Sequence, residues 1–316
     1  MKNMAHEFQP GVTDDFPLRA QLDRLRGITG FISVLGDDDR ICVFNRFNHV
    51  VRINRLLRWY IDDLPGIDTD KCRFIGLSHD LNRLPFAHNF EKSIHFSQGD
   101  HLASFMKMSG IRIDRALIAE FQAFYARDIN YSVESRIVYI IDSVGGFIED
   151  FIFAFSTLGF DCRSIPADIL EQLGFGEIES LELHVQRLRG AFRSNINSFA
   201  KLFDEITFDY ASRFIRKNQT DRHKVFDDGI MLDLVRKRIK PLLVEKIFPI
   251  NNEKVSKGRF VAEKICIPYL EFLRKTTGDP CGVLFAQTDR GLLDAAVTAG
   301  IIDKSSAKDA YPNLNI

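Results

Sequence analysis

The sequence lacks several features that mark particular classes of protein. Lysine and arginine together number 42 and aspartate and glutamate 43, so the net charge is −1. Bulk charge therefore gives no reason to expect nucleic acid or a membrane surface as a partner. The longest apolar stretch, residues 137–155, is interrupted by Asp142, Glu149 and Asp150. Such a segment is too polar to be expected to cross a bilayer.

Cysteines are few, and none of them is spaced like a zinc-binding or redox pair. There are five, an odd number, and no two have C-x-x-C spacing. This pattern suits free thiols in a reducing compartment and argues against a zinc knuckle. Residues 1–17 contain no apolar run of the kind that a signal peptide requires. We therefore expect a cytoplasmic protein.

Helical periodicity is what the sequence does contain, since strand-type alternation is scarce. Apolar residues recur at three- and four-residue spacing over residues 133–155, which is about six helical turns. A shorter stripe spans residues 45–61 and includes His49. Further helical patterns cover residues 166–173, 179–203, 229–247, 259–274 and 290–299. These patterns predict an all-α fold, with a core in residues 1–160 and a helical extension in residues 161–316 that packs on it.

Metal-binding residue types fall on three of the predicted helices. His79 and Asp80 are adjacent at the end of an apolar helical run, His49 lies one helix earlier, and Asp142 lies on the long apolar helix. Two imidazoles and two carboxylates suit a divalent cation that keeps open positions for water. Such a cation lowers the pKa of bound water and neutralises phosphate oxygens during an in-line attack.

Each of these residues also has an ordinary explanation when it is taken singly. A buried histidine is more often a hydrogen-bonded core residue than a ligand, and adjacent His and Asp residues occur by chance. Asp142 would be explained equally well by a neighbouring arginine. The combination is more specific than its parts, and a longer motif makes it more specific still.

The stretch from His79 to Glu91 reads HDLNRLPFAHNFE. It resembles the signature H-D-[IL]-G-H-x-P-F-[GS]-H-x-x-[ED] of the deoxynucleoside triphosphate triphosphohydrolases, the dGTPase family of HD-domain proteins. Three segments of the first half are similar to other motifs of that family: NRFNH at 45–49, RLRGIT at 24–29 and ESRIVYIID at 134–142. In the second half, QTDR at 287–290 is similar to a family M-T-D-R motif.

The resemblance implies an HD-domain helical fold with a helical C-terminal extension, the HD catalytic core being residues 1–160. It implies one divalent metal ion, Mn²⁺, Mg²⁺ or a similar transition metal. The implied substrate is a nucleotide, with release of triphosphate from a (deoxy)nucleoside triphosphate, and we also expect a homo-oligomer. The implied metal ligands are His49, His79, Asp80 and Asp142, and the implied catalytic pair is His88 and Glu91.

The catalytic pair has a simple physical basis. His88 can act as a general acid or base, and we expect Glu91 to fix its tautomer and to raise its pKa. Arg46 lies three residues before His49 and shares its helix face, so it can hold a phosphate, form a salt bridge to Asp80 or Asp142, or do both.

Two further sites are candidates for substrate binding. Arg83 stands where the family usually has a second histidine, and its guanidinium can clamp a phosphoryl group but cannot shuttle protons. His95 and His101 are both candidates for a family histidine that contacts the phosphates, and we expect at least one of the two to be a surface residue.

Other departures from the family leave the substrate open. Asn82 replaces a glycine, and a glutamine that reads the sugar in many family members is missing near Gly27. Gly145 and Gly146 replace an Ala-Tyr pair, which predicts either extra room for a ligand or close packing of a neighbouring helix. The alternative functions are a phosphomonoesterase or phosphodiesterase acting on another nucleotide, and a nucleotide-binding regulator with a degenerate site.

Overall fold

A computed structural model describes residues 15–29, 43–62, 64–128, 131–157, 161–219, 241 and 260–310. Within these ranges the chain forms fourteen α-helices and no β-strand, and an isolated antiparallel bridge joins Thr29 to Asn45. The all-α prediction is confirmed. None of the helices in this part of the chain is long and apolar enough to cross a membrane.

The first seven of the fourteen described α-helices fall within residues 1–160, the range predicted as the catalytic core. Short 3-10 turns at Leu25–Gly27 and Cys162–Ser164 and a π-helical segment at Ala262–Cys266 lie between the α-helices. The α-helices are α1 Asp15–Arg24, α2 Arg46–Ile61, α3 Thr69–Ser78, α4 Ala87–Ser93, α5 Gln98–Met108, α6 Arg115–Ala126, α7 Val133–Thr157, α8 Ala167–Leu173, α9 Ile178–Ser194, α10 Ile196–Asn218, α11 Ile267–Thr276, α12 Pro280–Phe285, α13 Asp289–Thr298 and α14 Lys304–Ala310.

Helix α7 is the centre of the fold. It packs against α2, α3, α6, α9 and α10, and a helix that is covered on so many sides must be apolar over most of its surface. Its side chains from Ile137 to Ile141 are almost fully buried, as are Phe151, Ile152 and Phe155. Each such side chain stabilises the fold by about 1.5–3 kcal/mol. Asp142 and Glu149 are among the carboxylates of this helix that interrupt its apolar surface.

One predicted helix differs from the structure, and another lies almost wholly outside the described residues. The pattern over residues 179–203 predicts one helix, which is wrong because Asn195 has extended backbone angles between α9 and α10. Its side-chain oxygen accepts the N–H groups of Asn197 and Ser198 and so begins a new helix. The helix predicted over residues 229–247 lies outside the described residues except for residue 241. The division at residue 160 stays a prediction.

Candidate metal centre and catalytic cavity

Three of the predicted metal ligands converge where α2, α3 and α7 pack together. His49 Nε2 lies 3.0 Å and His79 Nε2 lies 3.3 Å from the same oxygen, Asp142 Oδ1. The ligand atoms of the three residues are all within 4.8 Å of one another. His49 and His79 are 30 positions apart in the sequence, and His79 and Asp142 are 63 positions apart. They meet because α2, α3 and α7 pack against one another.

Asp80 lies beside this group and is oriented by two arginines. Its Oδ2 is 3.9 Å from His49 Nε2 and 3.8 Å from His79 Nε2. The same oxygen accepts a hydrogen bond of 3.0 Å from Arg46, and Oδ1 accepts one of 2.7 Å from Arg83. Burial by itself would raise the pKa of Asp80, but Arg83 and Arg46 hold it well below the usual value. Asp80 is therefore a fixed anion at the edge of the group.

Each histidine uses Nδ1 for a protein partner and turns Nε2 toward Asp142. His79 Nδ1 donates to the carbonyl of Gly76 at 2.8 Å, and His79 Nε2 is buried without a hydrogen-bond partner. His49 Nδ1 lies 3.0 Å from Glu149 Oε2. A buried nitrogen without a hydrogen-bond partner destabilises the fold unless a proton donor or a cation binds it. His79 Nε2 and His49 Nε2, together with carboxylate oxygens, form a donor set that suits a divalent transition metal.

The charges around His49 have a consequence for cation binding. Burial would lower the pKa of His49, but Glu149 and Asp142 outweigh it and raise the pKa to about 9. The pKa of Asp142 is held well below its usual value, against burial, by His79 and His49. Because a metal ligand must be a neutral imidazole, an incoming cation displaces the proton that His49 carries near neutral pH.

A second group of charges surrounds Arg83 on the segment that follows Asp80. Arg83 donates to Glu91 Oε2 at 2.5 Å and lies 3.4 Å from His88 Nδ1. Glu91 Oε1 also accepts the N–H of Leu84 at 3.2 Å. The distance from His88 Nδ1 to Glu91 Oε2 is 3.8 Å, which is too long for a hydrogen bond. Arg83, rather than His88, is thus the partner of Glu91.

The prediction that Glu91 raises the pKa of His88 is wrong. Desolvation in the cavity, followed by the positive charges of Arg83 and Arg46, lowers the pKa of His88 well below its usual value. Arg83, which stands where the family has a histidine, also takes the carboxylate that was expected to pair with His88. His88 is neutral at neutral pH, and its side chain is 35% exposed.

A cavity of about 580 Å³ opens above both groups of charges. Asp142 lies in its wall together with basic side chains on one part and aromatic side chains on another. Such a mixture of flat apolar surface and convergent charge is typical of small-molecule sites. The basic lining residues are Arg83, His88, Lys92, His95 and Arg127, and the aromatic ones are Phe96, Phe124, Tyr125 and Tyr139.

The four candidate substrate residues fall in different places. Arg83 and His95 line the cavity. Arg46 is 5% exposed and forms the predicted salt bridge to Asp80. His101 stacks on Phe96 with 4.7 Å between ring centroids, so its imidazole is used in aromatic packing. For all four residues, contact with a substrate stays a prediction.

Comparison with known proteins finds a relative of this chain. Over 230 residues the chain is 22% identical to a deoxyguanosinetriphosphate triphosphohydrolase-like protein of Rickettsia bellii (strain RML369-C). The chain is similar to the dGTP triphosphohydrolase family. The resemblance seen in the motifs is thereby confirmed. The match takes in 72% of this chain and 58% of the relative's length. No protein-family model matches the chain.

The asparagine that replaces a family glycine has a structural role here. Asn82 donates to the carbonyl of Gln98 at 2.7 Å and accepts from the Gln98 side chain at 3.0 Å. Tyr125 donates to the carbonyl of His79 at 2.6 Å. Asn82 and Tyr125 thus join α5 and α6 to the loop that carries His79 and Asp80.

The two glycines on α7 differ in what a side chain would meet. A Cβ on Gly145 would lie 2.4 Å from Ile53 Cδ1, so α2 packs closely against it. A Cβ on Gly146 would lie 3.5 Å from His49 Cε1, which is ordinary van der Waals contact. The close-packing explanation applies to Gly145. Gly146 faces the imidazole of His49, at the position where the family has a tyrosine.

The Arg83 segment is held by residues from the two ends of the described chain. Asp289 Oδ1 accepts the N–H of Phe86 at 2.5 Å, and Asp289 Oδ2 accepts both the N–H and the hydroxyl of Thr29. The guanidinium of Arg24 donates to the carbonyls of Leu81, Arg83 and Gln287. We call Arg24, Thr29 and Asp289 the clasp.

The clasp explains two sequence features of this segment. Phe86 and Ala87 have φ angles of 58° and 39°, a left-handed region that non-glycine residues occupy only when their surroundings force them to. A Cβ on Gly27 would lie 2.6 Å from Thr288 Cγ2, so the two ends meet as closely as a glycine allows. The RLRGIT and QTDR motifs are thus the two halves of one structural support.

Sequence reasoning missed Glu149, Tyr125 and the role of Asp289. Glu149 had a readable signal, since it lies seven residues after Asp142 and so on the same face of α7. Tyr125 had none, because its bond to the His79 carbonyl depends on how α6 packs. Asp289 was part of a short motif without a local partner.

Proposed function

We propose that this chain is a metal-dependent nucleotide phosphohydrolase, namely a (deoxy)nucleoside triphosphate triphosphohydrolase that releases nucleoside and triphosphate. The observation that carries this proposal is the position of Asp142. It belongs to the three-residue metal group and also lines the basic and aromatic cavity. A cation held there would meet a phosphate that enters the cavity. The dGTPase-like name of the relative supports the same substrate class.

The residues present would hold the cation through His49, His79 and Asp142, with Asp80 as the fourth ligand. When bound, it would supply an activated water and neutralise phosphate oxygens. Arg83, already fixed by Asp80 and Glu91, would place a permanent positive charge beside the phosphate. The aromatic lining, Phe124 and the tyrosines, would cover a flat base.

His88 would act as a hydrogen-bond donor in this reaction. An arginine can only donate, so the contact between Arg83 and His88 makes Nδ1 the acceptor. In the neutral ring the proton is then on Nε2, which can donate a hydrogen bond to a phosphate oxygen and stabilise the negative charge that develops there. Cytoplasmic location and a homo-oligomeric state belong to the same proposal, and the four free cysteines among the described residues support the first of these.

A second candidate is favoured by the ion pair between Arg83 and Glu91. Because Glu91 is occupied by Arg83 at 2.5 Å, the histidine and carboxylate do not form the expected pair. Another reaction, the cleavage of a phosphomonoester or phosphodiester in a different nucleotide, would not need that pair. A nucleotide-binding regulator would not need it either.

One screen separates these functions. Nucleoside mono-, di- and triphosphates are incubated with the full chain and Mn²⁺, Mg²⁺ or Co²⁺, and nucleoside, phosphate and triphosphate are measured separately. Inorganic triphosphate supports the first proposal. Inorganic phosphate, or nucleotide binding without turnover, supports the second candidate instead.

His88→Ala is the variant that tests the hydrogen-bond-donor role. We expect it to lower kcat by about 10²–10³-fold, the usual cost of losing one donor to a developing negative charge. Its metal content should match that of the wild type, because His88 lies outside the ligand group. Loss of metal together with activity would make His88 a structural support of the centre and would contradict the donor role.

A further inference from the structure

The two metal-binding histidines are oriented in different ways. His79 is fixed locally, by a carbonyl three residues earlier on its own helix. His49 is fixed by Glu149, a carboxylate 100 residues later on α7, at 3.0 Å. The side chain of Glu149 is 4% exposed. A buried carboxylate against the outer nitrogen of a metal-binding imidazole has a known effect, since it sets the tautomer and strengthens the ligand.

Glu149 is itself held by a chain of charges that crosses three helices. Arg52 lies one turn after His49 on α2 and donates to Glu149 Oε1 at 2.9 Å. The same guanidinium donates to Asp204 Oδ1 on α10 at 2.9 Å. It also lies over the ring of Phe203, with 5.3 Å to the centroid. The order Asp204, Arg52, Glu149, His49 runs from the partly exposed α10 to the ligand group.

We propose that Glu149 is a positioning residue that keeps His49 Nε2 available to the cation, with Arg52 and Asp204 holding Glu149 in place. The inference rests on the proposed metal site. With one proton kept on Nδ1 and donated to Glu149, displacement of the proton on Nε2 leaves the Nε2 lone pair for the cation. Without Glu149, Asp142 would be the carboxylate next to the ring, and a proton on Nε2 that bonds to Asp142 would be favoured. That tautomer offers the cation no lone pair.

The chain offers a matched control for the loss of a buried carboxylate. Glu120 on α6 is 7% exposed and is bound by Lys71, Ser132 and Ser135. These partners take no part in the metal group or in the series of charged contacts that links Asp204, Arg52, Glu149 and His49. Glu120→Gln therefore removes a buried negative charge and weakens buried hydrogen bonds, as Glu149→Gln does, without touching an imidazole.

The test is Mn²⁺ binding to the metal-stripped full chain by isothermal titration calorimetry. Glu149→Gln should raise the Mn²⁺ dissociation constant by about 10–100-fold, the usual effect of losing such a partner. Glu120→Gln should leave it unchanged. Thermal unfolding of the stripped proteins, measured in parallel, reports the structural cost of each substitution. If both variants lose similar stability and both bind Mn²⁺ like the wild type, Glu149 is merely structural and the proposal is overturned.

Two milder variants extend the test should Glu149→Gln fail to fold. Arg52→Lys keeps a positive charge but cannot bind both carboxylates in the same geometry. Asp204→Asn changes a side chain that is 44% exposed, so folding is expected to survive. Both should weaken Mn²⁺ binding, and unchanged affinity in both would overturn the proposal. A wild-type chain that binds no Mn²⁺ would refute the metal site itself, an outcome distinct from equal binding by wild type and variants.

Discussion

The metal group and the Arg83 segment lie next to each other but are built in opposite ways. His49 and Asp142 of the first are carried by packed helices, and the charges around His49 are balanced within α2, α7 and α10. The second is a loop with two left-handed residues, and the clasp from distant parts of the chain supports it. The comparison suggests that the cation site depends on helix packing and the placement of Arg83 on long-range hydrogen bonds.

Asp142→Ala should have the largest effect, because it removes the oxygen that both Nε2 atoms share. We expect Mn²⁺ binding to fall by more than the roughly 10–100-fold that loss of an outer partner causes, and turnover to fall to background. Calorimetry and a product assay measure the two effects. The Arg83 ion pairs to Asp80 and Glu91 do not involve Asp142 and should persist. Retention of tight Mn²⁺ binding would contradict the assignment of the ligand group.

The pH dependence of cation binding should be the next largest effect. Below the pKa of about 9, His49 holds a proton that the cation must displace. Mn²⁺ affinity should therefore rise by up to about tenfold per pH unit between pH 7 and 9. Titrations in buffers of different ionisation enthalpy should show release of close to one proton at pH 7. No proton release at that pH would mean that His49 is already neutral in the cation-free protein.

Asp289→Ala should disturb the Arg83 segment and leave the metal group almost unaffected. It leaves the buried N–H groups of Thr29 and Phe86 without their acceptor, at about 1–3 kcal/mol for each group. Urea unfolding should record this loss. Mn²⁺ affinity should be nearly unchanged, whereas kcat/KM should fall because Arg83 is no longer held in place. Equal losses of Mn²⁺ affinity and kcat/KM would mean that the two regions form one unit.

Asp289 should also change how stability depends on pH, in the direction opposite to that of an ordinary paired carboxylate. Burial raises the pKa of Asp289 from 3.8 to about 6, although Thr29, Phe86 and Arg24 partly offset it. Its contribution to stability is then fully present below pH 3.8 and is lost as pH rises through 6. Asp289→Asn should remove that part of the pH dependence. Unfolding curves of both proteins between pH 4 and 7 provide the measurement.

The glycines of α7 should give the smallest effect. Gly145→Ala forces a methyl group to within 2.4 Å of Ile53 and should destabilise the fold by about 1–3 kcal/mol. Gly146→Ala has room beside His49 and should stabilise α7 by up to about 1 kcal/mol. Thermal unfolding of the two variants checks the difference. Equal destabilisation would mean that both positions are packed and that no space adjoins His49.

Residue periodicity alone was enough to predict the all-α fold, whereas the meeting of His49, His79 and Asp142 was expected from residue types and from the resemblance of their motifs to a known family. Helix α7 is the clearest case, since its apolar positions predicted residues 133–155 and the helix runs from Val133 to Thr157. The fold prediction depends on interactions within about four residues of one another and on which face of a helix a residue shares. Such information is present in a single sequence.

Only the tertiary structure decided which charges pair. Glu91 was expected to bind His88, three residues before it, but Arg83 takes Glu91 instead because the fold brings its guanidinium closer. Glu149 meets His49 across 100 residues, and Asp289 meets Phe86 across 203. Choices among several possible partners depend on packing distances of a few tenths of an ångström, and no local pattern in the chain encodes those distances.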